Sequence, residues 1–233
     1  MIRLDHRLRC AFDMLQGAKA VADIGCDHGK LTAALLLEGG CQRVVAGDIS
    51  PDCLDKTRKL IERYGLLERA QVRLGSGLSI LFPGECDAAA ILGMGGELMV
   101  EILRSSPEVA EAMDKLVLQP MSGVEELRAW LFENRWHVLS DKLVPVDRRW
   151  YQVLCVNKAL SPDPWPEGFP DDCWLAGYRS FVDRETGLET YCREQLRKRQ
   201  ERLKRAAGTA GEGKLTREAG QLEQIIKEME GWN

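Results

Sequence analysis

Residues 20–29 read AVADIGCDHG, and a second short apolar run, RVVAGDI, follows at 43–49. The first run is almost continuously apolar and ends in glycine, as a strand buried on both faces of a parallel sheet does. Between the two, GKLTAALLLEG (29–39) consists of good helix formers and closes on a glycine. Strand, helix and strand in so short a stretch make one turn of a wound α/β sheet.

The pattern continues outward. Ser50-Pro51-Asp52 opens the next helix, with serine suited to the N-cap and proline to the first helical position; it reaches Tyr64, where Gly65 ends it. AQVRLGS (70–76), DAAAILGM (87–94) and KLVLQP (115–120) supply three more strands, with helices expected over 96–104 and 123–134. WHVLSDKLVPV (136–146) and RWYQVLCVNKA (149–159) have only a short turn between them, so they pair antiparallel at the sheet edge. The expected fold class is therefore α/β: a Rossmann-like sheet, parallel with an antiparallel edge hairpin, its helices on both faces through right-handed crossovers. SPDPWPEGFP (161–170) holds four prolines in ten residues and marks a boundary. From about residue 172 the chain reads helical, in two segments broken at GTAGEG (208–213). Leu215, Ala219, Leu222, Ile226 and Met229 follow the 4-3-4-3 spacing of a coiled-coil seam, and Leu188, Cys192, Leu196 and Leu203 make a looser stripe. The division expected is an α/β domain over 1–160 and a helical hairpin over 161–233.

Composition narrows the function classes. With 233 residues, 45% hydrophobic and 29% charged, the chain is an ordinary globular one, neither disordered nor a disulfide scaffold. No apolar run approaches the roughly 18–20 residues of a membrane-spanning helix, and charges interrupt the N-terminus too often for a secretion signal. The eight cysteines are scattered without a CxxC pair and there are only three histidines, so no metal is expected and the thiols read as reduced, in a cytoplasm. A net charge of −4 argues against a nucleic-acid binder driven by global charge, and DNA is not expected as a partner. Locally the balance reverses: residues 186–217 hold nine Lys/Arg against four Glu. Arg193, Arg197, Lys198 and Arg199 are the candidate phosphate contacts there; the alternative is the solvated face of a coiled coil.

In an open parallel sheet the ligand sits at the C-terminal strand ends. Strand one ends in Asp23-Ile24-Gly25-Cys26-Asp27-His28-Gly29, and strand two in Gly47-Asp48-Ile49, where a carboxylate can accept both hydroxyls of a ribose. A dinucleotide would want GxGxxG and a helix N-terminus open to pyrophosphate. Here Asp27 and His28 stand where phosphates would lie. A carboxylate is unfavourable against pyrophosphate and favourable against a sulfonium or an ammonium, which selects S-adenosylmethionine (SAM) over NAD. Strand four ends in Gly93-Met94-Gly95-Gly96, read either as backbone approach to a ligand or as a tight turn, and strand five in Gln119-Pro120.

DIGCDHG, GDI, LGSGL, ILGMGGELM and LVLQPM occur in this order, and in this respect the chain resembles the bacterial tRNA adenine-N1 methyltransferases of the TrmK type, which act on the adenine at tRNA position 22. The resemblance implies a SAM-binding methyltransferase domain with tRNA as partner. It also implies that Asp23, Gly25, Cys26 and His28 form the SAM loop and that Asp48 and Ile49 hold the ribose. Ser76 and Gly77 would then lie on the adenine side, with Gly93 and Met94 beneath the cofactor. Arg7, in LDHRL, is placed by it to pair the methionine carboxylate, and Asp27 to be the catalytic group. Gly95, Gly96, Gln119 and Pro120 would face the target base. The chain departs from the family's pattern at Ser76, where an acid is usual, and at Met121, where asparagine is usual. N1 of adenine carries an in-plane lone pair and needs no prior deprotonation, so a carboxylate at Asp27 serves by stabilising the cation that methylation creates. Two alternatives stay open at this level: a methyltransferase for a non-tRNA substrate, and a non-catalytic SAM-fold protein that binds a partner through its coiled coil.

Overall fold

The computed structural model describes residues 2–147, 149–158, 164–206 and 208–232. The chain divides into two compact units, Met1–Pro162 and Asp163–Asn233; a boundary at 160–161 lies outside the described residues. The first unit runs α1 (His6–Met14), β1 (Ala20–Ile24), α2 (Lys30–Leu37), β2 (Arg43–Asp48), α3 (Pro51–Arg63), β3 (Ala70–Leu74), a 3-10 turn (Gly77–Ile80), β4 (Ala88–Gly95), α4 (Gly96–Ser105), α5 (Pro107–Glu111), β5 (Lys115–Ser122), α6 (Val124–Glu133), β6 (Trp136–Val146) and β7 (Arg149–Lys158). The second holds α7 (Tyr178–Val182), α8 (Leu188–Ala206) and α9 (Glu212–Glu230).

The seven strands form one sheet in the order β3-β2-β1-β4-β5-β7-β6. β1 to β5 are parallel, and the β6–β7 hairpin closes the edge antiparallel. The apolar runs that announced these strands are the core: Val21, Ala22, Val44, Val45, Ala89, Ala90, Leu116 and Val117 are all fully buried. Ser50 caps α3 as the sequence suggests, its hydroxyl accepting from Cys53 N at 3.4 Å. Two helices were not anticipated, the short α5 and α1. Asp5 caps α1 by accepting from Leu8 N at 2.8 Å, and the helix buries Ala11 and Phe12. Asp5 and that apolar spacing were legible, but the surrounding charges masked them.

β4 and β5 both extend further than their apolar runs. β4 continues through Gly93 and Met94 to Gly95, with register shifts against β5 on either side of Met94. Gly93 has φ +76°, which makes the irregularity possible. Pro120 pairs opposite Met94 at that irregular point, so its missing N–H does not break a regular ladder. Gln119 and Pro120 are buried within β5, which runs on past its expected end at Pro120 to Ser122.

In the second unit, helix does not begin at 172; residues 164–177 are largely irregular and a single short helix, α7, precedes α8. There Trp165 packs edge-on to Phe169 and Trp174, and Phe181 meets Trp232 with ring centroids 5.1 Å apart. α8 and α9 run antiparallel, Arg193 opposite Glu230 and Arg199 opposite Glu218. Ala219, Leu222, Ile226 and Met229 are buried on the α9 seam, joined by Ile225. The matching α8 stripe has Arg199 where an apolar residue would continue it. That residue is 7% exposed, with Nε donating to Glu218 at 2.9 Å and Nη1 to Gln195 Oε1 at 2.9 Å. Arg199 is thus part of the hairpin's packing, which corrects its reading as a phosphate contact.

Candidate functional site

The strand order reverses between β1 and β4, and the loops leaving such neighbours diverge and open a crevice. A cleft of about 660 Å³ lies there, within the range of small-molecule sites. Its walls are Gly25, Cys26, Asp27, His28 and Lys30 after β1; Leu92, Gly93 and Met94 from β4; Asp5, Arg7 and Leu8 at the start of α1; and Met121, Val146 and Tyr151 from the β5 side. Asp23 contributes to the lining as well.

The loop after β1 is held in an unusual backbone conformation. Gly25, Asp27 and Gly29 have φ of +74°, +48° and +66°. For a non-glycine residue such as Asp27 this region carries a strain that neighbours must hold in place. They do so at several points. Asp27 N donates to Asp48 Oδ2 at 3.2 Å, the Thr57 hydroxyl donates to the Asp27 carbonyl at 3.1 Å, and Gly25 N donates to the Gly47 carbonyl at 2.8 Å. A side chain at Gly25 would overlap only the ε-methyl of Met94, the movable end of a flexible chain, so it is the φ of +74° that favours glycine here. The result is that the Asp27 carboxylate stands exposed at the mouth of the cleft, Oδ2 2.6 Å from His28 Nδ1.

Deeper, Asp23 is 4% exposed and its Oδ2 accepts from Thr32 N at 3.1 Å and Thr32 Oγ1 at 2.7 Å. Burial pushes its carboxyl up to about 6 against the opposing pull of Thr32, with the Asp48 and Asp27 charges adding to the rise. Asp5, Asp23 and Asp27 line the same opening, an arrangement that suits the cationic part of a ligand. Cys26 supplies no nucleophile: burial first, then the Asp23 charge, pushes its thiol up to about 12. All eight cysteines are thiols rather than disulfides.

Asp48 bridges loops as well as facing outward, because its Oδ1 accepts from Ser50 N at 2.9 Å. Ile49 is 73% exposed and Ser76 is also exposed, with Gly77 beginning the following turn. These four residues crown the neighbouring strand ends of β2 and β3, next to the cleft but not in its lining. Gly95 and Gly96 line a separate hollow of about 470 Å³ with Ser122, Gly123 and the acids of the first turns of α4 and α6. A side chain at Gly96 would run into the Gly123 carbonyl, so that glycine answers to the packing of two tight turns. Gln119 and Pro120, assigned above to the target base, are both buried. The Gln119 amide is engaged inside the fold: Oε1 accepts from Arg7 Nη1 at 2.7 Å and Nε2 donates to the Pro120 carbonyl at 2.8 Å. Contact of either residue with a base is corrected accordingly. On α8, Arg193 is paired with Glu189 at 2.7 Å and Arg197 with Glu201 at 3.0 Å, while Lys198 lines a hollow with Arg202 and Arg205. Sequence reasoning missed Lys30, Tyr151 and Val146 as cleft residues; Tyr151 and Val146 reach it through the edge hairpin, a long-range pairing that no local pattern announces.

A wound α/β sheet with an acidic crevice at its switch point, and a carboxylate on the adjoining strand end, defines the class of Rossmann-like proteins that bind a nucleoside-bearing ligand. Within that class, the chain belongs to the methyltransferase domain family, which it matches over residues 4–154. It is 30% identical over 153 residues to the tRNA (adenine(22)-N(1))-methyltransferase of Bacillus subtilis, spanning 66% of this chain and 64% of that protein. In three dimensions it is similar to the crystal structure of the B. subtilis M1A22 tRNA methyltransferase TrmK, with TM-score 0.82 and 25% identity over 97% of this chain and all of that one. It is also similar to M. capricolum TrmK in complex with S-adenosyl-homocysteine, with TM-score 0.81 and 19% identity over 96% and 98% of the two chains. The resemblance read from the motifs therefore stands. Among the described residues no helix is long and apolar enough to cross a membrane, and no three His, Cys, Asp or Glu gather as a metal site would need.

Proposed function

We propose that this chain is a SAM-dependent methyltransferase acting on N1 of the adenine at position 22 of tRNA, in the cytoplasm. The observation that carries the reading is the exposed Asp27 carboxylate, held in a strained loop at the mouth of an acidic cleft at the switch point. The family match and the name of the B. subtilis relative supply the reaction class and the substrate.

The residues present fit the cofactor. Buried Asp23 faces an ammonium, Arg7 a carboxylate, Gly25 and Gly93 allow close backbone approach, and Asp48 offers a carboxylate to a ribose with Ile49, Ser76 and Gly77 beyond it. When bound, SAM supplies an electrophilic methyl group on a sulfonium. Asp27 then stabilises the positive charge that the adenine ring acquires on alkylation, directly or by accepting a hydrogen bond from its exocyclic amino group. His28 fixes the Asp27 rotamer through the 2.6 Å contact. The remaining acceleration is positional, since nitrogen, methyl carbon and sulfur must lie in line. The target base leaves its pairing to reach the site, at a cost of a few kcal/mol.

Phosphate contact is assigned to the exposed stripe of Lys198, Arg202 and Arg205 rather than to Arg199. Transfer of labelled methyl from SAM to an unmodified tRNA transcript tests the proposal. Incorporation into tRNA supports it; SAM binding without incorporation would move the acceptor elsewhere, and no SAM binding would remove the enzyme.

A further inference from the structure

Gln119 is fully buried in β5, yet its side chain ends on Arg7, in the first turn of α1 where that helix lines the cleft. Its amide has a defined direction. Nε2 donates to the Pro120 carbonyl at 2.8 Å and lies 3.6 Å from Met121 Sδ, which leaves Oε1 turned to Arg7, whose Nη1 donates to it at 2.7 Å. An acceptor in that place takes one N–H of the guanidinium and fixes the plane of the others. The rest of the Arg7 surroundings agree with such a fixed fork. Its guanidinium carbon lies 5.9 Å from the Tyr151 ring centroid, and a side chain at Gly93 would come to 3.4 Å from Nη1. Asp5 stands 3.7 Å from Nη2, near enough to balance charge but beyond hydrogen-bond distance.

We infer that Gln119 is a positioning residue for cofactor recognition: it acts through Arg7, orienting the guanidinium so that its remaining N–H groups meet the carboxylate of the cofactor's amino-acid moiety. The inference rests on the proposal that SAM occupies this cleft. Its content is separate, because it names which end of the ligand a buried β5 amide controls. An arginine on the first turn of a terminal helix has many rotamers, and a buried acceptor restricts them before the ligand arrives.

The test compares two ligands that share the thioadenosine part and differ in the amino-acid part: S-adenosyl-homocysteine and 5′-methylthioadenosine. Binding of each is measured by calorimetry to the whole chain and to Gln119→Met, Gln119→Glu, Arg7→Ala and the Gln119→Met/Arg7→Ala double variant. Gln119→Met keeps size and removes the acceptor. It is expected to weaken S-adenosyl-homocysteine about tenfold and to leave 5′-methylthioadenosine unchanged. The double variant is expected to be no weaker than Arg7→Ala alone. Gln119→Glu keeps an acceptor and adds a charge that competes for Arg7, so it too should weaken only the ligand that carries the carboxylate. Equal weakening of both ligands in either Gln119 variant would show a merely structural role and overturn the proposal. So would unchanged binding of S-adenosyl-homocysteine, or additive losses in the double variant. If the unsubstituted chain bound neither ligand, the methyltransferase reading itself would fall and this one with it.

Discussion

Replacing Asp23 by asparagine should separate stability from binding, because the same burial that readies this carboxylate for a cation penalises the fold without one. Its carboxyl is pushed up from 3.8 to about 6 in the folded chain. A group that holds its proton more tightly when folded contributes stability below the unfolded value and loses it as pH rises through the folded value. The window here is about pH 4 to 6, and above it the ionised Asp23 costs the fold about 3 kcal/mol. The substituted amide keeps an oxygen to accept from Thr32 N and Oγ1 and never carries the charge. At pH 7.5 the Asp23→Asn variant should therefore melt higher than the unsubstituted chain, by about 6 to 12 °C for a domain of this size. Near pH 4 the two should converge. The cofactor side moves the other way: SAM affinity of the unsubstituted chain should rise as pH increases through about 6, and the variant should bind weakly at every pH. Thermal denaturation and calorimetric titration across about pH 4 to 8 measure both. A variant destabilised equally at all pH values would refute the reasoning, since Asp23 would then be worth more for its hydrogen bonds than its burial costs.

Other outcomes follow from the same structure. Asp27→Asn should lower methyl transfer at least about 100-fold, in the range of lost electrostatic stabilisation, while S-adenosyl-homocysteine binding by calorimetry stays within a few-fold. Neutralising Lys198, Arg202 and Arg205 to glutamine should weaken tRNA binding and reduce the slope of log affinity against log salt by about 2 to 3, as a filter-binding series would show. Arg199→Met alone should destabilise the helical hairpin by about 1 to 3 kcal/mol, because the half-buried Glu218 then keeps only the exposed Lys214, at 3.7 Å, whereas Arg199→Met with Glu218→Leu should restore or exceed the original stability in chemical denaturation.

How far the sequence led is clearest at the residues where it stopped. The β1 to β5 strands and the edge hairpin could be read because runs such as AVADI and LVLQ are apolar on both faces, and that periodicity belongs to the strand itself. The loop after β1 was legible for a related reason: glycines flank charged residues where no element could hide them. α1 escaped notice although Asp5 caps it, because its buried face is only a few residues wide among arginines. The end of β5 was read short because no local pattern shows that the irregularity opposite Met94 lets the strand run on past Pro120 to Ser122. Arg199 went wrong for a similar reason. Within a basic run, nothing local distinguishes the arginine that lies on the seam from those facing solvent, and that is decided by Glu218, 19 residues away along the chain. Tyr151 joined the cleft through strand pairing, a contact beyond any local pattern.

One measurement tests the reaction and its target most directly. An unmodified tRNA transcript with adenine at position 22 and a second with guanine there would be incubated with the chain and SAM, digested, and read by nucleoside mass spectrometry. N1-methyladenosine is expected from the first and none from the second. N1-methyladenosine in both, or a different methylated nucleoside, would contradict the assignment.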